Sequence, residues 1–149
     1  MPEFQSSTVL KCPVTALREF LGQPANLPSV SDPDLELEIV KAPETIAEGE
    51  QIEFRVTAYG FKQRATHSYV RVSATEILEE QIDGPLRAWR HHHIYESIDE
   101  TSCRLTDKFE FEPPGGMMGY VLTEQKIRDS LEEGMRARYE ALAEILESD

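Results

Sequence analysis

Apolar and polar residues alternate through the middle of the chain. Leu35, Leu37 and Ile39 are separated by glutamates, and the same period of two recurs in the segments that follow. Such alternation is typical of strands that bury one face. The pattern predicts six consecutive antiparallel strands, which begin at Leu35 and continue at 52–56, 62–74, 77–82, 87–98 and 101–111.

In the strand predicted at 62–74, the period of two assigns residues to opposite faces. Val70 and Val72 fall on one face, and His67, Tyr69 and Arg71 fall on the other. A regular strand therefore keeps the side chains of His67, Tyr69 and Arg71 on the same face.

The residues before this region predict a first strand and a small helical corner. The stretch 5–11 favours a strand, and Pro13 ends it because proline lacks a backbone donor and suits the first turn of a helix. Apolar residues then recur at helical spacing from Val14 to Leu21, and Gly22 closes the segment. The proline-rich stretch 24–33 is interpreted as a turn region with room for a second short helix.

The last part of the chain predicts one long amphipathic helix. Pro113-Pro114-Gly115-Gly116 ends the sheet region, because neither residue type belongs inside a strand. Thr123 is predicted to cap a helix of about 25 residues. The glycine-rich segment before it is interpreted as a hinge, and Met117 and Met118 are expected to line an entrance because methionine adapts to varied apolar shapes. One apolar stripe of the helix contains Ile127, Leu131, Met135, Tyr139 or Arg138, Leu142 and Leu146.

This order of elements predicts an α+β helix-grip fold. A seven-stranded curved antiparallel sheet is wrapped around the long C-terminal helix, and small helices lie between strands one and two. A single helix must then cover the apolar face of a bent sheet, which tends to leave a cavity. We expect residues 1–149 to form one ligand-binding domain, since a chain of 149 residues can bury a sizeable core.

Composition narrows the possible partners. The 28 acidic and 15 basic side chains give a net charge of -13, which repels phosphate backbones, so no nucleic-acid partner is expected. The longest apolar stretches are too short for stable membrane insertion. The first ten residues lack the basic start and apolar run of a signal peptide, and we expect a cytoplasmic protein. Cys12 and Cys103 are expected to be reduced, and whether they meet is left open.

The residues best suited to binding or catalysis lie on the strands predicted at 87–98 and 101–111. A period of two places Trp89, His91, His93 and Tyr95 on one face of the first, and Leu105, Asp107, Phe109 and Phe111 on one face of the second. A hairpin that turns at Asp99-Glu100 brings these two faces together. Its register decides whether Asp107 meets His91 or His93.

The segment from Gly84 to Tyr95 and its surroundings resemble the SRPBCC superfamily, and in particular its bacterial cyclase/dehydrase-like branch. The superfamily includes START-related lipid-transfer domains and polyketide cyclases. The matching pattern consists of Glu79-Glu80-Gln81, Gly84-Pro85, Trp89, His91, His93, Tyr95, Thr101, Asp107, and Phe109 or Phe111 before Pro113. Weaker matches are Asn26-Leu27-Pro28, Pro33, Glu48-Gly49 and Arg138.

The resemblance implies a helix-grip domain that binds a hydrophobic or amphipathic small molecule, with catalysis in some members. Two departures from the pattern prevent the transfer of a particular ligand. Leu78 stands where an aromatic residue is usual, and the fourth strand contains no tryptophan.

Three interpretations of the histidines and Asp107 remain open. They form a buried hydrogen-bonded cluster, or they face a cavity and bind the polar end of an apolar ligand, or they hold a metal or transfer a proton. His91, His93 and Asp107 are the candidates for catalysis. No metal and no cofactor are expected, because His67 has no spacing that marks it as a further ligand and no phosphate-binding glycine loop is present.

Binding is the first functional hypothesis: a carrier or sensor of a lipid-like, isoprenoid or aromatic, polyketide-like molecule. The predicted pocket residues are Trp89, His91, His93, Tyr95, Asp107, Phe109, Leu131 and Met135. The second hypothesis is a cyclase- or dehydratase-type enzyme, in which His91 or His93 acts as a base that Asp107 orients. The third is a protein-interaction module that forms a homodimer or joins an electron-transfer partner.

Overall fold

The computed structural model describes residues 1–58 and 60–147, with the side chain of Ala58 left out. Tyr59, which the sequence places just before the fourth strand, lies outside the described residues. Seven strands are described: β1 Glu3–Leu10, β2 Glu38–Lys41, β3 Gln51–Ala58, β4 Phe61–Val72, β5 Glu76–Asp83, β6 Ala88–Asp99 and β7 Ser102–Glu112. The helices are α1 Val14–Leu21, α2 Met118–Val121 and α3 Glu124–Leu146, with 3₁₀ helices at Pro24–Val30 and Pro33–Leu35.

The strands form one antiparallel sheet in the order β1-β7-β6-β5-β4-β3-β2. From β2 to β7 each strand pairs with the next one along the chain, and β1 closes the series by pairing with β7. The curved sheet grips α3 on its concave side. The predicted α+β helix-grip fold is therefore confirmed.

The helix α3 begins and packs as its sequence predicts. The Thr123 hydroxyl oxygen accepts a hydrogen bond from the backbone N–H of Lys126 at 3.3 Å, which satisfies one of the free donors of the first turn. The helix has 23 residues. Its buried stripe, which faces the sheet, consists of Ile127, Leu131, Met135 and Leu142.

Two groups of buried side chains hold these layers together. The first lies where α1 and the 3₁₀ helix Pro24–Val30 cover one end of the sheet, and it includes Leu10, Leu17, Leu21, Val30, Ile77, Tyr95, Leu105 and Leu142. The second lies under the first half of α3 and contains Phe109, Phe111, Leu122, Ile127, Leu131 and Met135. The space between the two groups is where the interior is not filled.

The strand predicted to begin at Leu35 starts later. Asp32 accepts a hydrogen bond from the backbone N–H of Asp34 at 3.0 Å and caps the 3₁₀ turn Pro33–Leu35. Glu36 follows with a φ of 47°, in the left-handed region. The alternation of leucines from Leu35 therefore reflects a turn that buries them in part, and the strand pairs only from Glu38.

A β-bulge changes the faces predicted for β4. The pairing with β5 shifts between Tyr69 and Arg71, and an extra residue reverses the alternation beyond that point. His67 and Tyr69 are buried, whereas Arg71 is exposed and Val72 packs against the core. The prediction that Arg71 shares a face with the other two was wrong for this reason.

The glycine-rich segment before α3 forms the short helix α2 rather than an open hinge. Met117 is 86% exposed and Met118 is 42% exposed, and neither lies on the wall of the main cavity. Their predicted place at an entrance is therefore not supported by contacts. Within residues 1–58 and 60–147, no helix is both long enough and apolar enough to cross a bilayer.

Candidate functional site

A cavity of about 300 Å³ lies between the concave face of the sheet and α3. Most of its wall is apolar, and the polar side chains of His67, Glu79, His91 and Arg138 are among those that reach it. The apolar wall includes Leu27, Leu37, Ile39, Phe54, Trp89, Phe109, Leu131 and Met135. An apolar chamber with a few polar groups is the usual composition of a small-molecule site.

Five of the predicted pocket residues lie on this wall: Trp89, His91, Phe109, Leu131 and Met135. The ring of Phe109 stacks on the imidazole of His91, with centroids 3.9 Å apart and an interplanar angle of 24°. Trp89 is a second aromatic neighbour of Phe109, at a centroid distance of 5.1 Å. The three rings form an aromatic part of the cavity wall on β6 and β7.

The other three predicted pocket residues lie away from the wall. His93 and Tyr95 line a separate space of about 10 Å³, because Leu21 and Leu27 of the helical corner cover the end of the sheet where they lie. Asp107 is 0% exposed. The twofold spacing correctly placed these residues on the concave face, but it does not show how far α1 extends over that face.

The register of the β6–β7 hairpin brings Asp107 to both histidines. His93 is its direct partner across the strands, and the Nδ1 atom of His93 lies 3.5 Å from the carboxylate. The Nε2 atom of His91 lies 2.7 Å from Oδ1 of Asp107. The Tyr139 hydroxyl donates to Oδ2 at 2.8 Å and lies 2.8 Å from the Ser6 hydroxyl.

Glu79, on β5, connects His93 to a third histidine, His67 of β4. One carboxylate oxygen lies 3.0 Å from Nδ1 of His67, and the other lies 2.9 Å from Nε2 of His93. The sequence marked Glu79 only as part of a family pattern and gave His67 no partner. The available signal was the acidic residue between Ile77 and Gln81 on the inward face of β5, because a carboxylate on an apolar face needs partners.

Both carboxylates of this network are held in the ionised form. Burial alone would raise the pKa of Glu79, but the hydrogen bonds from His67 and His93 outweigh it and hold the pKa well below its usual range. Burial also opposes ionisation of Asp107, yet the hydrogen bond from His91 lowers its pKa to about 2. Since an ionised carboxylate only accepts hydrogen bonds, the facing histidine nitrogens must donate.

His91 differs from an exposed histidine because it stays neutral over a wide pH range. Burial and the neighbouring His93 lower the pKa of His91 to about 4, against the opposing influence of Asp107. In the neutral ring, Nε2 carries the proton that is donated to Asp107. Nδ1 is then an unprotonated acceptor, and it has no hydrogen-bond partner among the described residues.

Glu79, His91 and His93 also offer donor atoms that lie within 4.8 Å of one another, which raises the question of a metal. The two imidazoles are tilted against each other, with centroids 3.6 Å apart and planes inclined by 31°. A metal ligand needs an unprotonated nitrogen, whereas Nε2 of His91 donates to Asp107 and Nε2 of His93 donates to Glu79. The three residues therefore do not fit a metal site while these hydrogen bonds are kept.

Cys12 and Cys103 do come close, which the sequence left open. Their sulfur atoms lie 4.0 Å apart, and both residues are buried free thiols. Burial raises the pKa of both thiols, that of Cys103 to about 12. The pair is part of the core beside α1, away from the main cavity.

Comparisons with known proteins identify the fold. No protein-family model matches the sequence, and no curated protein matches it significantly. Solved structures do match: a START superfamily protein from Mycobacterium smegmatis has a TM-score of 0.76 and 10% identity, with 97% of each chain covered. An aromatase/cyclase from a Streptomyces species has a TM-score of 0.70 and 16% identity, covering 97% of this chain and 90% of the other.

A plant protein gives a similar match. The major latex-like protein 151 from Panax ginseng has a TM-score of 0.69 and 10% identity, with 97% of each chain covered. At sequence identities this low, the similarity to these structures shows the fold alone. The resemblance to the SRPBCC superfamily is thus confirmed as one of architecture.

Proposed function

We propose that this chain, as a single domain, binds one hydrophobic or amphipathic small molecule in the cavity between its sheet and α3. The cavity supports a role as a carrier or sensor of such a molecule. A volume of about 300 Å³ with a mostly apolar wall is in the range of small-molecule pockets. Trp89, His91, Phe109, Leu131 and Met135 contribute the contacts.

The position of Gly134 carries this proposal. It lies on the cavity wall in the middle of α3, and a Cβ atom added to it meets no heavy atom of the described residues within 4 Å. Glycine weakens a helix interior by about 1 kcal/mol relative to alanine. A glycine at this point leaves room beside the wall at a cost in helix stability, which suits a site that must accept a ligand.

A pair of substitutions at Gly134 tests the proposal. Gly134→Phe extends a ring into the cavity, whereas Gly134→Ala adds one methyl group and serves as the matched control. Nile red, a neutral apolar dye, is titrated into each protein, and the emission of the dye and of Trp89 is recorded. We expect the wild-type protein and Gly134→Ala to bind the dye, and Gly134→Phe to lose at least tenfold in affinity.

Circular dichroism is used to check that both variants are folded before the comparison. Equal dye affinity in Gly134→Phe and Gly134→Ala would place the dye elsewhere and would contradict the cavity proposal. Mass spectrometry of molecules that copurify with the wild-type protein, and are missing from Gly134→Phe, identifies the natural ligand.

A second candidate function is general-base catalysis on the bound ligand, as in a cyclase or dehydratase. The observation that favours it is the hydrogen bond between His91 and Asp107, which orients a neutral imidazole with an unprotonated Nδ1 on a residue of the cavity wall. A base of this kind removes a proton next to a carbonyl group.

Deuterium exchange tests this second function. The probe is an alkyl-substituted diketone with acidic protons between its carbonyl groups, followed by NMR in deuterated water. Catalysis predicts exchange that the wild-type protein accelerates and His91→Gln does not, with Nile red binding retained in both. Equal exchange rates in the two proteins would leave binding as the function.

A further inference from the structure

The side chain of Arg138 forms no salt bridge and no hydrogen bond with the described residues. It projects from α3 onto the cavity wall, and its Nε and Nη1 atoms are buried without a hydrogen-bond acceptor. A guanidinium has five N–H donors and is always protonated. Since buried charges in proteins are normally paired, these donors indicate a missing acceptor.

Neither carboxylate of the histidine network forms a salt bridge with Arg138, and both already accept other hydrogen bonds. Asp107 is close enough for the positive charge of Arg138 to help keep it ionised, but its two oxygens accept hydrogen bonds from His91 and Tyr139. Glu79, on the cavity wall, uses its oxygens for two histidines. The guanidinium of Arg138 therefore lies at the cavity wall with donors that no described residue accepts.

The rest of the cavity wall determines the chemistry of the remainder of the bound molecule. The cavity surface around the arginine is mostly aliphatic and aromatic, as Leu131, Met135 and Phe109 illustrate. An entering molecule must bury apolar surface there to gain affinity. It gains further affinity by presenting an acceptor to the guanidinium, because a neutral apolar molecule leaves the buried cation unpaired.

On the basis of the proposed cavity function, we infer that Arg138 binds the carboxylate of an amphipathic organic acid whose apolar part fills the cavity. The planar fork of a guanidinium matches the two oxygens of a carboxylate. The low dielectric of an apolar chamber strengthens the pair relative to water. The ligand class is thus an ionised fatty or aromatic acid rather than a neutral lipid.

The same helix offers a matched control residue. Arg136 lies two positions earlier, and its side chain is 63% exposed and 3.8 Å from the Glu132 carboxylate. Arg136→Met and Arg138→Met therefore remove the same charge from the same helix, and only the second changes the cavity. Arg138→Lys keeps the charge at the wall while losing the planar fork.

The experiment measures displacement of Nile red by dodecanoate and by dodecanol, which differ in the polar end alone. We expect the wild-type protein to prefer dodecanoate. Arg138→Met should lose about tenfold to a hundredfold in dodecanoate affinity, with dodecanol affinity unchanged within a factor of three. Arg136→Met should behave as the wild-type protein, and Arg138→Lys should lie between the two.

The failure of this inference can be told apart from the failure of the proposed function. If both compounds displace Nile red equally well from the wild-type protein, or if Arg138→Met weakens both to the same extent, the cavity function stands and the carboxylate assignment is overturned. If Nile red does not bind the wild-type protein, or neither compound displaces it, the cavity function itself fails and the assignment falls with it.

Discussion

The Nε2 atom of His91 lies 2.7 Å from Oδ1 of Asp107, and this contact joins the cavity wall to the interior of the sheet. His91 lines the cavity, whereas Asp107 is completely buried and is also held by the hydroxyl of Tyr139. The hairpin of β6 and β7 and the helix α3 thus share one carboxylate. The same contact fixes which nitrogen of His91 carries a proton.

Asp107→Asn tests how much this shared carboxylate contributes to stability. The amide keeps the shape of the side chain but removes the charge and one acceptor, so one of the donors from His91 and Tyr139 loses its partner. We expect the free energy of unfolding to fall by about 2 to 4 kcal/mol. Urea denaturation followed by circular dichroism measures the change.

The exposed Asp83 on β5 provides the control for this substitution. Asp83→Asn should change the free energy of unfolding by less than about 0.5 kcal/mol. A similar small effect for Asp107→Asn would mean that the buried network is not a structural element.

Acid should destabilise the protein through His91. Its pKa is about 4 in the folded state and 6.5 ordinarily. Between these values the unfolded chain binds a proton that the folded chain does not, so stability is full above pH 6.5 and falls as the pH decreases towards 4. We expect this residue to account for a loss of about 2 to 3 kcal/mol between pH 7 and pH 4.5.

Urea denaturation at the two pH values measures this loss in the wild-type protein, in His91→Gln and in His92→Gln. Glutamine at position 91 still offers a donor to Asp107 but does not titrate. His92 lies on the other face of β6, between Glu76 and Glu110. A loss in His91→Gln as large as that of the wild-type protein would contradict the assignment to His91.

The two cysteines should resist alkylation in the native protein. Both are buried, and burial raises the pKa of each thiol, so the reactive thiolate is scarce at neutral pH. We expect iodoacetamide at pH 7.5 to label both sites at least a hundredfold more slowly in buffer than in 8 M urea. Mass spectrometry counts the labels, and rapid labelling of Cys103 in the native protein would contradict its burial.

Much of the fold could be predicted because its elements have regular periods. The alternation from Trp89 to Tyr95 and the stripe from Ile127 to Leu142 report which faces are buried, and the structure buries those faces. Irregular backbone was less accessible to prediction. The turn capped by Asp32 and the bulge beside Tyr69 each depend on local geometry that a period of two does not express.

The candidate site was predictable only in part, for a related reason. Residues within one strand could be grouped by spacing, which brought His91 and His93 together. The contact of Glu79 with His67 depends on the register between β4 and β5, which contains two irregularities. The sequence also left open whether Arg138 or Tyr139 faces inward, and both reach the interior, one at the cavity and the other at Asp107.

The most direct test of the cavity is an NMR titration with an apolar ligand that observes isotope-labelled methionine methyl groups. The chain has four methionines, and Met135 lies on the cavity wall, whereas Met1, Met117 and Met118 are exposed. Dodecanol added to the protein should shift the methyl signal of Met135 and give contacts between ligand and this methyl group, while the other three signals stay in place. Shifts confined to Met117 and Met118, with Met135 unchanged, would contradict binding between the sheet and α3.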